Sequence, residues 1–229
     1  MSGQISENLA LIQSRIALAA TRTGRTADEV KLVAVSKTHP PDVLREAISA
    51  GIRTFGENKV QEGETKILEL GRDAAEWHLI GHLQSNKARK AVQLFDVIHS
   101  VDSVDIATRL ERICGEEGRE KLSVLIQVDL AGEETKSGIP ESDLPDVVDF
   151  LQGCEHLSFD GLMVLPPFFE DPEATRPFFR RLRKLRDEII PGGQLSMGMS
   201  HDFEVAIEEG ATIVRVGTAI FGERAERIG

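Results

Sequence analysis

Short apolar runs alternate with amphipathic stretches along the 229-residue chain, and this alternation is the feature that most limits its fold. Eight runs have the length and composition of buried β-strands. The segments between them show helical apolar spacing, with proline and glycine where helices begin and end. The predicted strands are 31–36, 53–55, 77–80, 97–99, 123–128, 159–164, 194–197 and 212–216.

Eight strand–helix units in just over 200 residues predict an α/β fold, a (β/α)8 TIM barrel that forms one domain over residues 1–229. One extra helix precedes the first strand, because Ile5, Leu9, Ile12 and Ile16 recur at helical spacing. An open doubly wound sheet is the alternative fold. The glycine-rich nucleotide fingerprint expected of that fold is absent after the first strand, which favours the barrel.

Composition narrows the classes of function. A net charge of −11 argues against a nucleic-acid-binding surface. The basic run 180–186 is interpreted as the solvated face of a helix. Two cysteines without a Cys-x-x-Cys motif suit a reducing cytoplasm, and neither a signal peptide nor a membrane span is expected. The spacing of His78 and His82 does not predict a metal site.

Lys37 lies at the end of the first predicted strand. An ammonium group at the end of a buried strand can lose solvation, and the pKa of the amine then falls. A neutral lysine amine condenses with aldehydes to form a Schiff base. The alternative is a lysine that points into water, and its position in the sequence does not decide between the two.

Two further features lie at the ends of the last two predicted strands. Gly198–Ser200 and Gly217–Thr218 each pair a small residue with a hydroxyl, on the loops that often bind phosphate in these barrels. Helix N-capping is the alternative role for each hydroxyl. Arg215 lies within an apolar strand and needs either a carboxylate partner or a ligand. An amine, two phosphate-type loops and a buried arginine together fit pyridoxal 5′-phosphate, which has both an aldehyde and a phosphate.

Longer stretches around these residues resemble the pyridoxal phosphate homeostasis proteins, the YggS/PROSC family. The stretches that carry the resemblance are 32–38, 55–62, 77–87, 136–138, 161–163, 195–200 and 214–222. The resemblance implies a barrel similar to the N-terminal domain of alanine racemase. Asp129 departs from the family pattern, which leads us to expect asparagine there.

The resemblance also implies roles for individual residues. Lys37 would form the internal aldimine with the cofactor, and Arg215 would face its pyridine nitrogen. The other matched positions are Ser200, Gly217 and Thr218 for the phosphate, and Asn58, His82 and Met199 along the cofactor.

We expect from this resemblance a monomeric carrier that buffers pyridoxal phosphate through a Schiff base and takes part in intracellular vitamin B6 homeostasis without strong catalysis. Its expected partners are the cofactor and, transiently, apo-enzymes that require it. The alternative is an amino-acid racemase that uses the cofactor. Such racemases use a tyrosine as the second base, and this chain contains no tyrosine. A cofactor-free lysine aldolase is a third, less favoured interpretation.

Overall fold

The computed structural model describes residues 2–132 and 137–222. Nine strands and nine α-helices are found within those residues. The strands are β1 (Lys31–Val35), β2 (Thr54–Glu57), β3 (Glu76–Leu79), β4 (Val97–Val101), β5 (Leu122–Asp129), β6 (Ile139–Pro140), β7 (Leu157–Met163), β8 (Gln194–Met199) and β9 (Ile213–Val216). The helices are α1 (Ser2–Arg22), α2 (Pro41–Ser49), α3 (Val60–Leu70), α4 (Ala88–Leu94), α5 (Val104–Glu117), α6 (Leu144–Gln152), α7 (Arg176–Ile189), α8 (Phe203–Glu208) and α9 (Thr218–Phe221).

Eight of the strands close into a parallel barrel. The order around the ring is β1-β2-β3-β4-β5-β7-β8-β9, and β9 pairs again with β1. Pairing of β4 with β5 completes the ring, which confirms the predicted barrel and excludes the open sheet. β6 is a two-residue strand that pairs with the end of β5, and the sequence analysis did not predict it.

The predicted extra helix is α1, which packs on the outside of the barrel against α8 and α9. Ile5, Leu9, Ile12 and Ile16 are all buried, as their spacing predicts. They belong to the large apolar core between the strands and the outer helices. This layer stabilises the barrel and leaves the ends of the strands available for polar groups.

A second, smaller apolar cluster consists of inward-facing residues from five strands. Its members are Val33, Val97, Leu125, Met163 and Ile213. Side chains alternate across a strand, so the next inward residue lies two positions further along. By this rule Val35, His99 and Arg215 follow Val33, Val97 and Ile213 towards the carboxyl ends of the strands. The interior therefore changes from apolar to polar along the barrel axis.

Ion pairs cover the basic face of α7. Arg181 pairs with Glu141, and Arg180 pairs with Glu209 at 3.0 Å. Arg180 is 63% exposed, in agreement with a solvated helix face. Among the described residues, no helix combines the length and the apolar character that a membrane span requires.

Gly198 provides a test of the packing between β8 and α8. Its φ is +92°, and a Cβ there would lie 2.5 Å from Ala206 Cβ. We expect Gly198→Ala to lower the free energy of unfolding by about 3 kcal/mol, because it adds backbone strain to a steric clash. Gly192→Ala is the control, since Gly192 has a φ of +82° and open space around its Cα.

The control should lose only about 1 kcal/mol from the left-handed conformation. Urea unfolding of the two variants measures both effects. Equal losses would show that packing against α8 contributes nothing at Gly198.

Candidate functional site

A cavity of about 530 Å³ opens at the carboxyl ends of the strands, a volume typical of small-molecule sites. It lies above the polar part of the barrel interior, between the ends of β1, β8 and β9 and the loop 165–169. Seven of the eight residues predicted for the site line this cavity. They are Lys37, Asn58, Met199, Ser200, Arg215, Gly217 and Thr218.

His82 is the predicted site residue that the cavity lining does not include. Its Nδ1 lies 3.0 Å from Asp102 Oδ2, and its side chain is 52% exposed. The chain crosses the backbone of Asn58 closely at Gly81, where a Cβ would lie 2.2 Å from the Asn58 carbonyl oxygen. The imidazole is thus held by Asp102 at the surface, away from the cavity.

The two loops predicted to bind phosphate meet in the structure. The Gly217 N–H donates to Ser200 Oγ at 3.1 Å, which joins the loop after β8 to the end of β9. Thr218 begins α9, where the first N–H groups of a helix have no helical acceptor. The Ser200 hydroxyl and these N–H groups lie together at one side of the cavity, and they are donors of the kind that binds an anion.

Asp202 also lines the cavity, a placement that the sequence analysis did not predict. Its Oδ1 accepts a hydrogen bond from the Met199 N–H at 2.7 Å, which holds the turn that carries Ser200. Burial raises the pKa of Asp202, while the Met199 bond and the charge of Arg215 oppose that rise. The carboxyl group therefore shapes the loop on which the phosphate-type hydroxyl lies.

Arg215 is 2% exposed at the floor of the cavity. Its Nη1 donates to Ser196 Oγ at 2.5 Å, and its Nη2 donates to the Val164 carbonyl oxygen at 2.8 Å. Burial lowers the pKa of Arg215 to about 10, so the group is still a cation at neutral pH. These two bonds use two of its five N–H donors, which leaves others for a ligand.

A buried ion pair lies directly beside Lys37. Lys66 is 3% exposed, and its Nζ contacts Glu57 Oε1 at 2.7 Å and the Ser36 carbonyl oxygen at 2.8 Å. Ser36 Oγ donates to the same Glu57 oxygen at 2.5 Å. Burial raises the pKa of Glu57 against the opposing charge of Lys66. The residue before Lys37 is therefore fixed through both its side chain and its carbonyl group.

The residue after Lys37 is fixed by the same group of side chains. Thr38 has a φ of +71°, a left-handed conformation that β-branched residues rarely adopt. Its N–H donates to Glu62, whose carboxylate lies 3.1 Å from Lys66 Nζ. Burial acts to raise the pKa of Glu62, but the bonds from Thr38 and Lys66 lower it overall. The backbone on both sides of Lys37 is thus held in one conformation.

The sequence analysis missed how these polar residues pair. Glu57 and Lys66 are polar positions on a buried strand and a buried helix face, and burial of a charge requires a partner. That rule predicts a partner for each charge without identifying it. Asp129, the departure from the family pattern, accepts hydrogen bonds from the N–H groups of Ala131 and Gly132, both at 3.0 Å. Its carboxylate therefore stabilises the turn after β5.

Metal ligation finds no support in the part of the chain that the structure describes. Over residues 2–132 and 137–222, no group of three or more His, Cys, Asp or Glu side chains is arranged to hold a metal ion.

Comparison with known proteins first defines the class. Residues 8–225 match the family described as the alanine racemase N-terminal domain. Alanine racemase from Corynebacterium glutamicum superposes with a TM-score of 0.70 at 17% identity, covering 96% of this chain and 60% of the racemase. At that identity the likeness concerns the fold alone. The chain is therefore a barrel of the alanine racemase type.

Relatives with higher identity define the family more narrowly. The pyridoxal phosphate homeostasis protein of Aquifex aeolicus is 44% identical over 223 residues, which cover 95% of this chain and 97% of that protein. The protein of the same name from Escherichia coli K12 is 43% identical over 227 residues, covering 96% and 97%. PipY of Synechococcus elongatus PCC7942, solved with pyridoxal phosphate bound, has a TM-score of 0.84 at 42% identity and covers 96% of this chain and 100% of PipY. This chain belongs to the family of pyridoxal phosphate homeostasis proteins.

Removing Lys66 tests the ion pair beside Lys37. Lys66→Met leaves the Glu57 carboxylate buried without its cation, and we expect the free energy of unfolding to fall by about 3–5 kcal/mol. The control is Lys90→Met, because the Lys90–Glu64 pair at 2.7 Å is largely exposed. That variant should lose less than about 1 kcal/mol in urea unfolding.

A double variant separates charge from packing. Glu57→Gln in the Lys66→Met background removes the buried negative charge, so part of the lost stability should return. A double variant that is no more stable than Lys66→Met would show that the charge is not the cause.

Proposed function

We propose that this protein binds pyridoxal 5′-phosphate reversibly in the cavity at the barrel mouth and acts as a cytoplasmic carrier in vitamin B6 homeostasis. The whole of residues 1–229 is one cofactor-binding domain, and the protein acts as a monomer. It buffers the free aldehyde and passes it transiently to apo-enzymes that require it. The names of its relatives and the cofactor in PipY support this proposal.

One observation in this chain carries the proposal: an amine, an anion-binding pocket and a buried cation line the same cavity. The amine is that of Lys37, for the aldehyde. The Ser200 hydroxyl and the N–H groups at the start of α9 are donors for the phosphate. Arg215 offers guanidinium N–H donors to the ring nitrogen. The three groups match the three functional ends of the cofactor.

The bond to the cofactor requires Lys37 in its neutral form. Attack of the amine on the aldehyde forms one C=N bond and releases one water molecule, and hydrolysis reverses the reaction. The backbone on both sides of Lys37 is already held by the Ser36–Glu57–Lys66–Glu62–Thr38 network. A fixed backbone lowers the entropy cost of holding the amine at the aldehyde.

Racemisation is the second candidate, because the fold is that of alanine racemase. It needs a second base on the far side of the substrate, and the family's base is a tyrosine, which this sequence lacks. Arg215 is a cation held by Ser196 and Val164, and a guanidinium does not give its proton to the ring nitrogen. A ring that stays unprotonated withdraws electrons weakly. Racemases tolerate such an arginine, so the missing tyrosine is the sharper reason to favour a carrier over a racemase.

Absorption spectroscopy tests the proposed link to Lys37. Wild-type protein incubated with pyridoxal phosphate should show a visible Schiff-base band that borohydride removes. Lys37→Ala should lose the band, whereas Lys59→Ala, which replaces an exposed lysine at the start of α3, should keep it. Mass spectrometry after reduction should place the added mass on Lys37. An equally strong reducible band in Lys37→Ala would refute the assignment.

A racemisation assay separates carrier from enzyme. The protein loaded with pyridoxal phosphate is incubated with L-alanine, and the D-isomer is measured by chiral chromatography. We expect no turnover above that of Lys37→Ala incubated with the cofactor or of free cofactor, since the opposing phenol is absent. Turnover at the median enzyme rate of about 10 s⁻¹ would favour the racemase.

A further inference from the structure

A row of buried polar side chains, joined by hydrogen bonds, runs through the barrel below the cavity. Arg215 Nη1 donates to Ser196 Oγ at 2.5 Å, and Ser196 Oγ lies 2.8 Å from His99 Nδ1. His99 Nε2 lies 2.8 Å from His78 Nδ1. None of the four side chains is more than 2% exposed. Four residues from four strands thus form a continuous hydrogen-bonded path inside the barrel.

The path ends at a carboxylate near the opposite end of the barrel. His78 Nε2 lies 3.3 Å from Glu76 Oε1, although the contact does not meet regular hydrogen-bond geometry. Lys31 Nζ donates to both oxygens of Glu76 at 2.9 Å. His78 and then Lys31 lower the pKa of Glu76 to about 2, so the path ends at a negative charge.

Both ends of the path favour the same direction of hydrogen bonding. Arginine only donates, so Ser196 Oγ accepts from Arg215, and His99 Nδ1 is the acceptor within reach of the Ser196 hydroxyl proton. His99 then carries its proton on Nε2 and donates to His78 Nδ1. His78 in turn presents Nε2–H to Glu76. The opposite direction would place a bare lone pair of His78 Nε2 against the Glu76 carboxylate. Burial lowers the pKa of both histidines, which agrees with neutral rings.

The path holds the Arg215 side chain through hydrogen bonds but does not compensate its positive charge. Lys66, the other deeply buried cation of the site, contacts the carboxylates of Glu57 and Glu62 directly. Arg215 forms no ion pair with any residue in 2–132 or 137–222, and two neutral imidazoles and a hydroxyl separate it from Glu76. The carboxylate of Asp202, which lines the same cavity, acts on Arg215 through its charge without an ion-pair contact. A buried cation with no ion pair in direct contact gains most from a ligand that accepts its hydrogen bonds.

We propose that Ser196, His99 and His78 are positioning residues that hold Arg215 as a cation directed into the cavity, ready for an acceptor atom of the bound ligand. The identity of that ligand as pyridoxal phosphate rests on the proposed function. The direction of the hydrogen bonds does not rest on the proposed function, because it is a property of the protein alone.

The first experiment uses the ligand-free wild-type protein. Long-range ¹H–¹⁵N correlation of ¹⁵N-histidine protein reports which ring nitrogen carries the proton, with assignment by single His→Gln variants. His78 and His99 should both be neutral, protonated on Nε2 and bare on Nδ1. A proton on Nδ1 of His99, or an imidazolium at either position, would overturn the proposal. This test needs no variant at Ser196 and no cofactor.

The second experiment measures affinity for pyridoxal phosphate by titration. Ser196→Ala removes the acceptor of Arg215, and the dissociation constant should rise about tenfold. Ser196→Thr keeps a hydroxyl and should restore most of the affinity. The control is Ser100→Ala, because Ser100 is also a fully buried strand serine but donates to the Gly81 carbonyl oxygen.

Ser196→Ala loses two buried hydrogen bonds and Ser100→Ala loses one. Thermal melting of both variants measures the loss of stability, so that a change in affinity can be compared with it. Unchanged affinity in Ser196→Ala, or an equal loss in Ser100→Ala, would overturn the positioning role. If wild-type protein does not bind pyridoxal phosphate but shows the expected ring protonation, the proposed function falls and the direction of hydrogen bonding stands.

Discussion

Closure of the sheet through the pairing of β4 with β5 places a set of polar side chains where water cannot reach them, and the site depends on how that set is satisfied. In an open sheet the inward face of β3 and β4 could be solvated. In the closed ring, His78 and His99 must find partners within the barrel. They find each other and Ser196, and that path ends on Arg215 beneath the cavity. Closure of the barrel thus determines both the fold and the path of buried polar side chains beneath the cavity.

Two cations are deeply buried within the described residues, and they differ in their partners. Lys66 is fully engaged by Glu57 and Glu62, and it fixes the backbone on both sides of Lys37. Its function is architectural, since its charge is already compensated. Arg215 donates hydrogen bonds to a hydroxyl and a carbonyl oxygen and has no ion pair in direct contact among the described residues, so its remaining N–H donors stay available to a ligand.

Sequence reasoning located most of the site because the barrel gathers strand ends at one mouth. Lys37, Ser200, Gly217 and Arg215 were assigned to strand ends, and the structure brings all four to one cavity. His82 lies elsewhere, since the loop after β3 carries it to Asp102 at the surface. The left-handed conformation of Thr38 was not predicted. It depends on Glu62, a residue on a different element, and local sequence carries no sign of that bond.

By itself the sequence determined the alternation of strands and helices, and with it the barrel and the end of the barrel at which the predicted site residues gather. It also shows from its composition that the chain has no tyrosine and therefore no phenol side chain. Only the tertiary structure decided which buried polar group meets which partner. His99 and Ser196, for example, are 97 positions apart in the sequence. Periodicity reports which face a residue occupies, but the partner across the barrel depends on strand order and register, which exist only once the ring has closed.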